Sequence, residues 1–182
     1  MVKLFILGPP GSGKGTISNI LLSFFTLEDV SYYNVGELLR SRAATDEHIR
    51  SVHAAGGLVD SNRVLGIFDN ALSKRSYIVD GSPRKLEEAQ YVLNHSKWKE
   101  DPGYLIHLDL DIEISRQRLK SRGRFDDLSD EVLDRRFKEF VESTSRSIEL
   151  FRQEGRLITV DANQLPKDVC SDITCELFKR HY

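Results

Sequence analysis

Gly8-Pro9-Pro10-Gly11-Ser12-Gly13-Lys14-Gly15-Thr16 is the first stretch of this chain with residues spaced for chemistry. Two glycines five apart, followed by a lysine, let a loop turn its N–H groups onto a polyphosphate, while the lysine adds a mobile cation for the β and γ phosphates. The general form of such a loop places Ser or Thr directly after the lysine; here Gly15 holds that slot and Thr16 follows one residue late. A dinucleotide fingerprint fails, because Gly11 and Gly13 would require a third glycine at Thr16. A second charged cluster packs five cations into the nine residues from Arg116 to Arg124, before Asp126 and Asp127. Helical spacing divides it. Arg118 and Arg122 are i,i+4 neighbours on one stripe, whereas Arg116 and Lys120 point about 160° away. Only the first pair can share a ligand.

These groups need a scaffold. Short β-rich runs, KLFIL (Lys3 to Leu7), VSYY (Val30 to Tyr33), YIVD (Tyr77 to Asp80), YLIHLDL (Tyr104 to Leu110) and RLITV (Arg156 to Val160), alternate with helical patterns. The alternation predicts an α/β fold with a five-stranded parallel sheet and helices on both faces. The loop follows the first strand and opens a helix from Thr16 to Phe24 that carries Ile17, Ile20, Leu21 and Phe24, so phosphate would meet the positive end of a helix dipole. Residues 111–122 and 128–154 read as helices, the second with an apolar stripe of Leu133, Phe137, Phe140, Val141, Ile148 and Phe151. Gly123 to Asp127 reads as a flexible joint and Gly155 as the stop of the long helix. Trp98, in a Lys-rich turn, is expected to cap the core at the surface. His107 is expected to be a packing residue.

The 182 residues, 40% apolar and 30% charged, suffice for one domain with a sizeable core. A formal charge of −2 gives no electrostatic case for a nucleic-acid partner. No apolar run approaches the roughly 20 residues of a membrane span, and no signal-like segment opens the chain. Cys170 and Cys175 lie five apart, a spacing that on a helix faces them differently and suits a reducing compartment. A cytoplasmic monomer is expected. His48, His53, His95 and His181 form no metal-ligating pattern.

The form G-x-P-G-x-G-K-G-T resembles the opening of the adenylate kinase family of nucleoside monophosphate kinases, which are P-loop NTPases. The likeness runs from Lys3 to about Ile173 and implies a single kinase domain over residues 1–182, with an acceptor-binding part about 34–75 and a short lid about 119–131. It implies ATP contacts from Gly11, Ser12, Gly13, Lys14, Gly15 and Thr16, with Arg118 stacked on the donor adenine and Arg122 beside the phosphates. Asn34-Val35-Gly36-Glu37-Leu38-Leu39-Arg40 is similar to the family's S/T-x-G-D-L-L-R, whose Arg, here Arg40, holds the acceptor phosphate. Gly56-Gly57-Leu58-Val59 resembles the G-x-L-V turn beside the acceptor base. Asp80-Gly81-Ser82-Pro83-Arg84 resembles D-G-F-P-R, in which the Asp orients Mg²⁺ through water and the Arg grips the acceptor phosphate. The residues matching Arg122, Arg124 and Arg136 surround the transferring phosphoryl group. Arg135 competes with Arg136, which is preferred because it borders the buried stripe. Long family members insert about thirty residues, sometimes zinc-bound, where Gly123 alone joins Arg122 to Arg124, so no structural zinc is expected. Mg²⁺ with ATP, near Thr16 and Asp80, is the implied cofactor.

Three acceptor positions depart from the pattern. Val35 replaces a hydroxyl residue, Ser82 an aromatic, and Glu88 the glutamine that pairs with the adenine edge in AMP-accepting members. A carboxylate only accepts, so Glu88 would favour a base edge that donates, such as guanine or cytosine; alternatively it pairs with Arg84 one turn away. AMP is the first expectation on family grounds, and GMP, CMP or UMP the alternative. A kinase for a small alcohol, or an ATP-binding sensor without turnover, are the rival readings. Loss of lid arginines would mark the sensor, and an acceptor without phosphate the alcohol kinase.

Overall fold

Alternation within the first strand, β1 (Lys3–Leu7), builds the two faces of the fold. Phe5 and Leu7 point to one side with Tyr77, Val79 and Leu105, where they meet Phe68, Trp98 and Phe151. Leu4 and Ile6 point to the other with Ile78 and Ile106, against Ile17, Leu21, Val169, Ile173 and Leu177. A strand buried on both faces has to be apolar at every position, as KLFIL is beyond its lysine. The computed structural model describes residues 1–26, 28–122 and 129–180, and the backbone but not the side chain of Arg122. Arg124 and the expected joint at Gly123 to Asp127 lie outside the described residues.

Chain order is β1, α1 (Lys14–Phe24), β2 (Ser31–Asn34), α2 (Val35–Arg42), α3 (Glu47–Ala54), α4 (Asn62–Leu72), β3 (Tyr77–Asp80), α5 (Leu86–Asn94), α6 (Ser96–Glu100), β4 (Tyr104–Asp109), α7 (Ile112–Arg122), α8 (Asp130–Glu139), a π-helical turn (Phe140–Thr144), α9 (Ser145–Gln153), β5 (Leu157–Asp161) and α10 (Pro166–Lys179). The five strands form one sheet in the order β2-β3-β1-β4-β5, and every pair is parallel. The five runs read from the sequence are these five strands, with ends shifted by a residue. β1 has β3 on one side and β4 on the other, so the chain reverses its winding there. A crevice opens beyond the carboxyl end of β1, the position where open α/β sheets bind ligands.

Two expectations are corrected. Trp98 is 3% exposed, with its ring 5.7 Å from both Phe5 and Phe151. α6 turns the flanking lysines outward and the indole inward, so Trp98 belongs to the core rather than to its surface. The helix expected over 128–154 is interrupted by the π-helical turn, and Val141 is 53% exposed. The wider turn rotates Val141 off the apolar stripe, and buried Thr144 and Ile148 follow in its place. Leu133, Phe137, Ile148 and Phe151 lie on the stripe as expected.

Candidate active site

The glycine loop closes over the end of β1 with Gly11 at φ 85° and Gly13 at φ 86°, backbone states open to glycine and costly for other residues. Its shape is fixed from below. Ser115 of α7, fully buried, donates from Oγ to the Pro10 carbonyl, and a side chain on Gly11 would strike the Ser115 carbonyl at 2.7 Å. Lys14 Nζ donates to the carbonyls of Gly8 and Pro9, each at 2.9 Å, and lies 3.4 Å from Ser12 Oγ. The lysine is thus held folded on its own loop. Ser12 is buried beneath it, with its N–H on the Pro9 carbonyl, and does not line the cleft above.

That cleft has a volume of about 720 Å³. Gly11, Gly13, Lys14, Gly15 and Thr16 form one wall; Asp80, Gly81 and Arg84 at the end of β3 form another. Gly36 and Arg40 come from α2, Arg118 from α7 and Arg136 from α8. Cations from four helices and one loop therefore face one space. A smaller cavity of about 100 Å³ shares Gly36, Arg40, Gly81, Arg84 and Arg136 with it and adds Val35, Gly57, Val59, Ser82 and Glu88. Ser12 apart, the structure thus gathers the described candidate residues into two adjoining spaces. Arg122, whose side chain is not described, and Arg124 are left out of this statement.

Asp80 is 4% exposed, and burial pushes its carboxyl above the ordinary value although Lys14, Arg84 and Arg40 pull it down. Its Oδ2 accepts from Tyr32 at 3.0 Å and lies 3.4 Å from Asn34 Nδ2. Burial and the neighbouring Asp80 charge raise the Tyr32 phenol to about 12, which keeps it a donor. Tyr32 and Asn34 were not singled out from sequence. The signal for Tyr32 was the two-residue period of β2, which puts it on one side of the strand with Asn34, next to Asp80, and Asn34 also opens the segment similar to S/T-x-G-D-L-L-R. Asn34 also caps α2, accepting from the Glu37 N–H at 3.0 Å.

Arg84 donates from Nε to the Gly81 carbonyl at 2.6 Å, and burial with the nearby Arg136 charge lowers its pKa. Two serines fix the loop that carries it. Ser147 donates to the Pro83 carbonyl at 2.8 Å and Ser143 to the Arg84 carbonyl at 3.2 Å. No sequence signal marked either one. Arg40 folds back over its own helix, 3.4 Å from where a side chain on Gly36 would begin.

Among the described side chains of the basic cluster, Arg118 parts from Arg116 and Lys120, while that of Arg122 lies outside the description. Arg118 faces the cleft and donates to the Ala162 carbonyl at 3.1 Å. Arg116 turns to α8, where it pairs with Asp134 at 2.6 Å and covers the Phe137 ring at 5.1 Å, and Lys120 reaches Asp130 at 3.2 Å. Of the two rival arginines, Arg136 lines both cavities and Arg135 is exposed, with its guanidinium close to Gly57. His107 packs against Phe140 with ring centres 6.4 Å apart; burial lowers its pKa, and Nδ1 has no hydrogen-bond partner among the described residues.

Residues 6–156 match the family model of adenylate kinase. An adenylate kinase of Parasynechococcus marenigrum (strain WH8102) is 32% identical over 180 residues, spanning 94% of this chain and 96% of that protein.

The chain belongs to the adenylate kinase family.

An adenylate kinase of Tropheryma whipplei (strain Twist) is 29% identical, spanning 94% of this chain and 95% of that one, and adenylate kinase 1 of Nostoc sp. (strain PCC 7120) is 29% identical over 97% and 99%. As a member of the adenylate kinase family the protein has the P-loop NTPase fold and is an ATP-dependent phosphotransferase acting on nucleoside monophosphates. Among the described residues, no helix is long and apolar enough to cross a membrane.

Proposed function

We propose that this chain transfers the γ-phosphoryl group of MgATP to AMP, giving two molecules of ADP. One observation carries the reading: Lys14, Arg40, Arg118 and Arg136, from four different helices, and Arg84, from the loop after β3, face one cleft beside the glycine loop. Two phosphate-bearing substrates repel each other, so their reaction needs cations that screen charge, align the partners and hold the equatorial oxygens of the moving group. Guanidinium forks do this and stay protonated at any working pH. The acceptor is already an oxyanion, so no general base is required. The similarity to proteins named adenylate kinase supports AMP as acceptor.

In this reading Lys14 and the N–H groups of the loop hold the β and γ phosphates. Arg118 lies against the donor adenine, Arg40 and Arg84 hold the AMP phosphate, and Arg122, Arg124 and Arg136 close around the transferred group. The residues near the loop fit a hard cation. Asp80 offers a buried carboxylate, Thr16 a hydroxyl, and the bare Gly15 leaves the space beside Asp80 Oδ2 open, since a Cβ there would stand 3.7 Å away. Thr16 and Asp80 would hold Mg²⁺ there with ATP, and the ion would supply further neutralisation of phosphate charge. The single domain then closes its parts at about 34–75 and 119–131 over both substrates, which excludes water as a competing acceptor.

Initial rates with MgATP and a panel of AMP, GMP, CMP, UMP, dTMP and simple sugars test the reading. ADP formation dependent on AMP is expected. Phosphorylated sugar, or no product from any acceptor, would overturn it.

A further inference from the structure

Arg84 lines both cavities, and its backbone is tied on every side. Its N–H donates to Glu88 Oε2 at 2.8 Å, and its carbonyl accepts from Ser143 Oγ at 3.2 Å. The carbonyl before it, that of Pro83, accepts at 2.8 Å from Oγ of the fully buried Ser147. Proline brings no N–H, so every backbone polar group of Pro83 and Arg84 has a partner. Two of those three partners are serines.

Both serines depart from the habit of their kind. A serine inside a helix ordinarily returns its hydroxyl to a carbonyl three or four residues back, as Ser145 does with that of Val141. Ser143 and Ser147, on either side of it, reach instead to the loop after β3, 59 and 64 positions away in the chain. They belong to the π-helical turn and to α9, which continue α8 without a break and so form one rod with Arg136. Arg136 lines the same two cavities as Arg84. After burial, the Arg136 charge is the main influence holding the Arg84 pKa down, so the two cations stand near each other and repel. Until an anion lies between them, the backbone has to keep them in place.

We propose that Ser143 and Ser147 are positioning residues for phosphoryl transfer: their hydroxyls tie the Arg84 backbone to the helical rod that carries Arg136, and so set the spacing of the two guanidinium groups before the acceptor phosphate arrives. The inference rests on the phosphoryl transfer proposed above. Neither serine lines either cavity, and each acts through Arg84. Forks held at a fixed distance need no rearrangement when charge moves, which is the advantage of preorganised cations over solvent. Loss of a hydroxyl leaves a loop carbonyl unpaired and lets Arg84 drift from Arg136, and a drift of about 1 Å costs about 10²-fold in rate.

Initial rates and melting curves of Ser143→Ala, Ser147→Ala and the double variant, each made in the wild type and in Arg84→Ala, provide the test. The double variant should lose about 10- to 100-fold in kcat/KM for AMP while KM for MgATP stays within about threefold, since the glycine loop is untouched. In Arg84→Ala the same two changes should cost less than about twofold, because the group they position is gone, yet they should lower Tm by about 2–8 °C in both backgrounds. Should the double variant fail to fold, Ser143→Ala alone carries the same comparison with a loss of about tenfold. Calorimetric titration with AMP, without ATP or Mg²⁺, reads the placement apart from turnover, and the serine variants should bind AMP about tenfold more weakly. A loss as large in Arg84→Ala as in the wild type, equal weakening of AMP and MgATP, or AMP kinetics and affinity unmoved by the serine changes would overturn the inference and leave AMP phosphorylation standing. A wild type that forms no ADP from MgATP and AMP would instead overturn the proposed function.

Discussion

Replacing Gly56 by Ala probes the contact between the acceptor-side turn and the helix that carries Arg136. Gly56 has φ 72°, and a Cβ there would stand 2.7 Å from the Val132 carbonyl oxygen and 3.2 Å from Arg136 Cγ. The left-handed backbone alone costs alanine about 1–2 kcal/mol. The carbonyl contact falls about 0.6 Å inside the closest ordinary carbon–oxygen approach, so turn and helix must separate by that distance. For a chain of this size each kcal/mol lowers Tm by about 2–4 °C, which gives a loss of about 2–8 °C. The shift also moves the stem of Arg136. Since a misplacement of about 1 Å costs about 10²-fold in rate, a displacement half as large should lower kcat about tenfold. Gly66→Ala is the control: Gly66 lies inside α4, exposed, with nothing within 4 Å of its Cβ position. It should gain about 0.5–1 kcal/mol and leave turnover alone. Thermal unfolding by circular dichroism and ADP formation with MgATP and AMP measure both effects. A Gly56→Ala protein that melts with the wild type and turns over at its rate would refute the reasoning, as would a Gly66→Ala protein equally impaired.

Arg136→Ala should lower kcat about 10²- to 10³-fold, the loss seen for preorganised electrostatic groups, while Arg135→Ala stays within about threefold, the scale of a surface change. Initial-rate kinetics with saturating nucleotides separate the two, and the reverse order would reassign the lid-side arginine. Burial raises the Asp80 carboxyl above its ordinary 3.8, so its contribution to stability is complete below the unfolded pKa and is lost as pH rises through the folded one. Asp80→Asn should therefore melt higher than the wild type at neutral pH without nucleotide, with the gap closing below about pH 4, and should lose phosphoryl transfer; a gap that widens on acidification would contradict the sign. Trp98→Ala should destabilise by about 3–5 kcal/mol in denaturant titration because its ring fills the core between Phe5 and Phe151; a loss under about 1 kcal/mol would return it to the surface.

Much of the site is legible in the chain because its backbone geometry is written in residue types. Glycine takes the left-handed turns at Gly11 and Gly13 without the cost that other residues meet there, and a lysine after them points to phosphate. Five short apolar runs alternating with helical patterns read as a covered parallel sheet, and the i,i+4 rule parted Arg118 from Arg116, while the fold put the first on the cleft and the second on Asp134. Contacts across chain-distant elements had no such signature. Tyr32 reaches Asp80 because two strands 48 positions apart lie side by side, and Ser147 holds the Pro83 carbonyl across 64 positions. Trp98 among lysines reads as surface until α6 turns it inward, and Val141 reads as core until a π-helical turn rotates it out. Glu88 shows the division most clearly. Its residue type is fixed by sequence, but only the folded chain ties its Oε2 to the Arg84 N–H and sets its Oε1 beside Ser61, since hydrogen-bond capacity is shared out by three-dimensional neighbours.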